Sequence, residues 1–521
     1  MFELPSFTVT ISLLSLLVFL LYSLSLLSKR TNASYPPSPT PKPIIGNALD
    51  IPFKGKPWLQ YMEWSKRLHS DIVHMSAVNI HIVVLHTMED VTALLEKRSA
   101  IYSDRPVFPV ATILGLDFVT PTVPYNDRWK CHRTIHQETL KKDRVPFYRP
   151  LVAKKVHLFL GELLKDPSSF SEQCKWLAAS FTLDLTYGYQ VDPDQKNDRF
   201  MQAADLAVRT GGELSLPGAT MLNIIPSLCR IPPWVPGAFT QRLAARIKQT
   251  MIQYKTELFM YTKNNMATGA SSDCILAELL QRRTEEDDGL YNDRTLMDVS
   301  ATLYIAGVDT LHSVQTTVIL AMALHPECQK KAQMEIDRVV GSDKLPTYED
   351  RPSLLYIEAL CREVQRWRPT FPLGVPHSAI KDDTYKGFYI PKGTFVMPNV
   401  WAITRDEAKY HDPELFMPER FFNADGTLNQ DTVGYVFGFG RRICVGRHIA
   451  DSVLWLMVAC MLATFDISKA KDDDGHEIDI DPDAFADSLI THPLPFKCSI
   501  LPRSRKAEVL VRNAAKNVHM T

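Results

Sequence analysis

Phe437-Gly438-Phe439-Gly440-Arg441-Arg442-Ile443-Cys444-Val445-Gly446 places a single thiol on a stretch dense in glycine. Four of the chain's 22 glycines, Gly434, Gly438, Gly440 and Gly446, fall within thirteen residues around Cys444. Glycine at that density lets a backbone turn tightly and approach another group closely. Arg441, Arg442 and Arg447 flank the sulfur and favour its thiolate. The run from Arg447-His448-Ile449-Ala450 through Val453, Leu454 and Leu456 has helical character, and its N-terminus adds positive potential beside the thiol. A thiolate on a shaped loop ahead of a helix suits a single-cysteine metal ligand. Taken alone, a lone cysteine is more often a buried core residue. The wider pattern decides between the two.

That pattern, Phe-x-x-Gly-x-Arg-x-Cys-x-Gly, is matched by Phe437, Gly440, Arg442, Cys444 and Gly446. It resembles the haem-binding loop of the haem-thiolate monooxygenases, the cytochromes P450. The resemblance implies haem b with Cys444 as its iron ligand, and Phe437, Gly440 and Gly446 shaping the loop around it. Further out, the clearest helix is predicted over Asp293–His325, capped by Asn292 or Asp293 behind the breakers Asp287, Asp288 and Gly289 and stopped by Pro326. Inside it, Ala306-Gly307-Val308-Asp309-Thr310 holds a glycine that costs about 1 kcal/mol relative to alanine. Close approach of a flat ligand is one reason for it, and packing against another helix is the other. Asp309 and Thr310 set an acid beside a hydroxyl, as a proton relay needs. Read alone, they are more simply a solvated or helix-kinking pair. The segment resembles the family's oxygen-activating element, which implies that Gly307 lies against the haem, Thr310 positions dioxygen and Asp309 supplies protons. Leu311 departs from the family, where a second Thr or Ser is common.

Glu363 and Arg366 stand three apart, on one helical face, and as a surface pair would contribute little. In the setting Cys361-Arg362-Glu363-Val364-Gln365-Arg366-Trp367 they resemble the family's ExxR element, with Arg420 of Pro418-Glu419-Arg420-Phe421 as third member. The resemblance implies a buried network bracing the haem loop. Trp129 and Arg133 sit four apart, the spacing at which two donors on a helix reach one carboxylate. The resemblance implies that they hold a haem propionate together with Arg442 and His377. For His377 an ordinary loop histidine is the other reading.

The chain has 521 residues, 45% hydrophobic and 22% charged, with a formal charge of −1. That is the composition of a globular protein with a large core, and the charge argues against nucleic-acid binding. Nine cysteines without a CxxC pair or regular spacing read as reduced thiols. Phe7–Leu27 carries no charge over 21 residues, fourteen of them Leu, Ile, Val or Phe, and is predicted to span a membrane as a helix. Only Glu3 precedes it and Lys29-Arg30 follow, which places the remainder in the cytosol and leaves the Asn32-Ala33-Ser34 sequon unmodified. Residues 1–30 are thus an anchor and basic flank, and 31–46, rich in proline, a semi-rigid hinge. Residues 47–521 form one large catalytic domain. Strands are expected at Val73–Met75, Ile80–Leu85 and around Tyr385–Val396, and most of the rest reads as helix. The class is mainly α with small β-sheets, and the resemblance implies the cytochrome P450 fold.

The resemblance implies a monooxygenase that inserts one atom of dioxygen into an apolar small molecule at the endoplasmic reticulum membrane. Its overall pattern is similar to fungal, membrane-anchored members acting on secondary metabolites. Two electrons would come from NADPH through a membrane-bound NADPH–cytochrome P450 reductase, because no flavin or nicotinamide fingerprint occurs here. A haem-thiolate isomerase or dehydratase and a non-catalytic haem sensor are the alternatives, and the Asp309-Thr310 pair weighs against both. Predicted pocket stretches are Phe108–Phe118, Thr302–Ala306, Thr370–Val375 and Ser488–Ile490, all mostly apolar. Lys130, Arg133, Lys141, Lys142, Arg144, Arg441 and Arg447 are read as a basic face for the reductase, and Leu216–Phe239 as an interfacial lip.

Overall fold

The computed structural model describes residues 34–52, 55–77, 80–192, 198–215, 220–269, 273–282 and 291–518. The Phe7–Leu27 span, the Asn32 sequon, the Asp287–Gly289 breakers and residues 216–219 of the lip lie outside them. The longer elements run in chain order as α1 (Pro57–Leu68), β1 (Ile72–Ala77), β2 (Ile80–Leu85), α2 (Asp127–Leu140), α3 (Val145–Lys165), α4 (Phe170–Tyr187), α5 (Arg199–Ser215) and α6 (Phe239–Ala267). Then come α7 (Asp293–Leu324), α8 (Pro326–Val339), α9 (Leu355–Trp367), β3 (His377–Ser378), β4 (Asp383–Tyr385), β5 (Phe388–Ile390) and β6 (Phe395–Pro398). The chain closes with α10 (Arg447–Thr464), β7 (Phe465–Lys469), β8 (Cys498–Pro502) and α11 (Arg505–Val518).

α7 is the axis of the molecule. The Asn292 side chain accepts the Thr295 N–H at 2.9 Å, and Pro326 allows no continuation past the His325 cap. Its 32 residues extend about 48 Å, enough to cross the domain. It packs on α4, α5, α9 and α10. α10 is apolar and long enough to cross a membrane by composition alone, yet it is a buried core helix, with Trp455 and Met457 fully enclosed.

The sheets are small. β1 pairs antiparallel with β2, β2 parallel with β6, and β6 antiparallel with β3. The short strands expected around Tyr385–Val396 are a hairpin, β4–β5, followed by β6. Glycine at 387 with φ +82° makes the hairpin turn. The hinge also differs from expectation, because it is docked from Ser34 onward. Ser34 O accepts the Tyr389 N–H, Pro37 O accepts the His74 N–H at 2.9 Å, and Tyr35 stacks on His74 at 4.9 Å. Aromatic stacking outweighs the spacer tendency of the prolines here.

Candidate active site

The Cys444 loop is fitted against its surroundings by backbone contact. Gly440 has φ +53°, and a Cβ there would lie 2.2 Å from the Leu95 carbonyl oxygen. Only glycine satisfies both conditions. The Cys444 N–H donates to Phe437 O at 2.8 Å and closes the loop on itself. Cys444 lies deep in the fold yet is accessible, because its side chain faces a cavity of 1090 Å³ between the loop and α7.

Burial pushes the Cys444 thiol up, against the Gly446 N–H, Arg133 and Arg447. Of the three arginines expected to favour the thiolate, Arg447 does act on the sulfur. Arg441 turns to the Tyr125 hydroxyl and Arg442 to Ser103 O, whereas Arg133, from α2, stands at the sulfur.

On one flank of the cavity, two guanidinium groups converge without an ion-pair partner among the described residues. Arg442 donates from Nε to Ser103 O at 2.6 Å and lies 4.3 Å over the Trp129 ring, but its two terminal nitrogens are buried and unpartnered. Arg105 is buried and spends its donors on the carbonyls of Pro121, Val375 and Pro376 at 2.6–2.8 Å. Desolvation pulls Arg442 down to about 10, with Arg133 beside it adding to the effect. Desolvation and Arg442 together hold Arg105 far below the guanidinium range. His377 shares this ground. Its Nδ1 meets Tyr102 O at 2.7 Å, and burial with the two arginines keeps it neutral. Buried cations with orphaned donors call for an anion. The two propionates of a haem are of the right charge, so the residues present fit that group. Arg133 Nη1 donates to Ile443 O at 2.6 Å, which ties α2 to the cysteine loop, while its buried Nε has no hydrogen-bond partner among the described residues.

Across the cavity, Thr310 donates its hydroxyl proton to Ala306 O at 2.9 Å, leaving its lone pairs to accept. Burial pushes the Asp309 carboxyl up, opposed by His492 and Lys175 and reinforced by Asp205. For Gly307 the packing reading holds: a Cβ would lie 2.7 Å from Thr182 Cγ2 of α4. The missing side chain serves the helix crossing, while the residue still borders the cavity. Cys444, Arg442, Trp129, Arg133, His377, Phe437, Gly446, Gly307, Asp309 and Thr310 all border this one space. Gly440 does not, since its part is the approach to Leu95.

The brace lies outside the cavity. Glu363 and Arg366 are fully buried and pair at 2.7 and 2.8 Å, and Arg420 Nε reaches Glu363 at 3.2 Å. Arg366 and Arg420 also bind the carbonyls of residues 404, 411–413 and 415. Arg366 lies over the Tyr410 ring at 5.5 Å, and Tyr410 meets the Tyr435 hydroxyl at 2.8 Å just before the cysteine loop. The network thus touches the loop at one remove. Sequence reasoning did not single out Arg105, Lys175 or Asp205, and it noted His492 only within the His492-Pro493-Leu494-Pro495-Phe496 stretch that carries the resemblance, with no part in the site. None carries a motif of its own, and each reaches the cavity only through tertiary packing.

A thiol-bearing loop under a deep cavity, a buried guanidinium pair beside it and an acid–hydroxyl pair opposite are the features of a haem-thiolate protein. The sequence profile of the cytochrome P450 family matches residues 36–500. The chain is 37% identical over 488 residues to cytochrome P450 monooxygenase ple1 of Rhodocybe pseudopiperita, covering 93% of this chain and 92% of that one. It is 36% identical over 481 residues to cytochrome P450 monooxygenase 98 of Postia placenta (91% and 92%). With cytochrome P450 monooxygenase claR of Ampulloclitocybe clavipes it shares 35% over 507 residues (97% and 93%). This chain belongs to the cytochrome P450 family. Membership makes it an oxidoreductase and implies a haem cofactor.

Proposed function

We propose that this enzyme inserts one oxygen atom from dioxygen into an apolar organic molecule, with haem b held at Cys444 and electrons from NADPH passed on by a membrane-bound reductase. The observation that carries the reading is that the Cys444 thiol and the Asp309–Thr310 pair face one another across a single cavity of mostly apolar lining. Haem bound there supplies the redox and oxygen chemistry. The chain's own residues do the rest. Cys444 would hold the haem iron through its sulfur, and Arg442, Arg105 and Trp129 would hold the propionates. His377 keeps that side closed by anchoring β3 to Tyr102. Thr310, its proton committed to Ala306, accepts a hydrogen bond on the cavity side, and Asp309 passes protons towards it. Val119, Phe371, Leu373 and Leu489 line an apolar space that excludes water and suits a substrate with few charges, such as a terpenoid, polyketide or indole.

Residues 1–30 anchor the enzyme in the endoplasmic reticulum membrane, with the body in the cytosol and the pathway one of fungal secondary metabolism. Lys141 and Lys142, exposed at the end of α2, and Arg441 offer cationic contacts to an acidic reductase. Arg144 is engaged by Glu278 and Lys130 by Asp127, which narrows the basic face first read from sequence. The test has two parts. The reduced carbon monoxide complex is expected to show the thiolate-type Soret band and Cys444→His to abolish it. With reductase added, NADPH consumption is expected to match product formation. Rearrangement of a peroxide without reductase would replace this reading with an isomerase, and haem binding without turnover would replace it with a sensor.

A further inference from the structure

Two histidines of α2, one turn apart, meet at a single hydroxyl. His132 Nδ1 lies 3.0 Å and His136 Nε2 lies 3.1 Å from Oγ1 of Thr120, in the short turn Thr120–Thr122 ahead of that helix. Thr120 also gives its N–H to Thr302 Oγ1 of α7 at 3.3 Å, and the Thr302 hydroxyl donates to Asp298 O at 2.8 Å. Thr120, His132, His136 and Thr302 are all buried, and Thr120, His136 and Thr302 border the cavity. The Asp298 carboxylate is balanced by Arg128 at 2.8 Å and Lys255 at 2.6 Å. Burial pushes His132 down to about 4 and His136 down to about 3, so both rings are neutral. His136 Nδ1, by contrast with its Nε2, is buried without a hydrogen-bond partner among the described residues.

A buried ring nitrogen without a partner is costly, and apolar side chains would close the same wall with less loss. We infer that His136 is a specificity-determining residue whose Nδ1 binds a hydroxyl group already carried by an otherwise apolar substrate. The inference rests on the monooxygenase reading and deepens it by naming the substrate class, an alcohol. The choice of a hydroxyl follows from counting protons. Thr120 has one hydroxyl proton for two ring nitrogens, so it donates to one ring and accepts an N–H from the other. His136 Nδ1 is therefore bare in one arrangement and protonated in the other. A hydroxyl both gives and accepts, so it satisfies either arrangement, whereas a ketone or an ether satisfies only the second. A carboxylate is disfavoured, because a neutral ring has no charge to offset it. The propionates of haem, for their part, have the guanidinium pair of Arg442 and Arg105. Thr302 precedes Thr310 by about 12 Å along α7. An alcohol held there is oxidised at a remote carbon, not at the one bearing its hydroxyl. The reaction that supplies it leaves an alcohol on a hydrocarbon skeleton, by an earlier oxygen insertion or by a ring closure quenched with water.

The test titrates the haem-loaded full chain with matched hydrocarbon and alcohol probes: cedrene with cedrol, androstane with androstanol, and indane with indanol. The Soret shift on binding reads each Kd without turnover. His136→Phe is expected to weaken the alcohol of at least one pair about tenfold, as loss of one hydrogen bond to a buried atom does, and to leave its hydrocarbon within about twofold. His136→Asn keeps a polar atom near the position of Nδ1 and is expected to restore part of the difference. Thr120→Val releases the ring from its anchor and is expected to weaken the same alcohol, which decides the matter if His136→Phe does not load haem. Alcohol and hydrocarbon affinities that change in parallel in every pair overturn the inference. So does a shifted propionate band in the resonance Raman spectrum of His136→Phe, which would assign the nitrogen to haem. If the enzyme shows no NADPH-dependent turnover at all, the monooxygenase reading fails while the binding ratios still decide the hydroxyl contact.

Discussion

Arg442 and Arg105 carry two positive charges into a region where, among the described residues, no carboxylate forms an ion pair with them, and Asp104 only partly offsets the charge. Such an arrangement destabilises the protein until an anion arrives, because buried charge without a partner keeps its full desolvation cost. Replacing Arg442 with methionine is therefore expected to have opposite effects on the two forms. The haem-free chain should melt higher, while haem should leave the loaded chain faster. Parallel melting curves and haem transfer to an acceptor globin check both, and a lower melting point in both forms would mean that Arg442 is a packing residue. This is also where the reach of the sequence ends. Cys444, Arg442 and the glycines around them were legible because neighbours in the chain constrain one another there. Arg105, 339 residues from Cys444, was not, since nothing local in Ser103-Asp104-Arg105-Pro106 marks it as turned inward. Arg133 was found, but its bond to Ile443 O depends on how α2 lies against the loop, and spacing within one helix does not contain that.

Helices meet here through positions that tolerate only one side chain. Gly307 of α7 faces Thr182 of α4, and a methyl group on it would press to 2.7 Å on a β-branched residue with one comfortable rotamer. Gly307→Ala is expected to cost about 1–3 kcal/mol by overpacking. Thr182→Ser removes the Cγ2 atom in the way and keeps the hydroxyl that donates to Ala178 O at 2.7 Å. The double variant should thus recover most of the loss in a denaturant titration, and independent, additive losses would show that the glycine serves something other than this crossing. α9 makes a different demand. Removing Glu363 leaves the buried Arg366 charge with backbone carbonyls but no counter-charge, so Glu363→Ala is expected to cost about 3–5 kcal/mol and to leave little haem-loaded protein. Normal haem content with slow turnover would contradict it. The long helix was readable from Asn292 and Pro326 alone, whereas the runs around Tyr385–Val396 were read without individual bounds, because three-residue strands are too short for alternation to show.

The whole molecule responds to acid through histidines kept neutral by burial. Desolvation pushes His74 and His136 down to about 3 and His132 and His312 down to about 4. An unfolded chain takes up these protons from about pH 6.5 downward, and the folded one resists. The stability that burial of the neutral rings contributes is fully present above that pH and is lost as pH falls towards 4. Denaturation midpoints should decline across that window, and a flat profile from pH 7 to 5 would show these rings to be accessible. A second property of the whole molecule is its uneven surface. Trp234 and Phe239 are 79% and 73% exposed, and Met221 and Ile225 join them on the prolyl segment between α5 and α6. The sequence showed this lip as a run of apolar residues and prolines, but which of them face outward depends on the folded segment. Exposed apolar side chains bind a lipid surface by burying their area in it, at about 25 cal/mol per Å² removed from water. A chain lacking residues 1–30 is therefore expected to keep its haem and still to sediment with phospholipid vesicles. Replacing Trp234 and Phe239 with serine in that shortened chain should release it from the vesicles without changing the carbon monoxide spectrum. Vesicle binding that survives those two substitutions would move the contact to another face, and loss of haem on shortening would show that anchor and body do not fold apart.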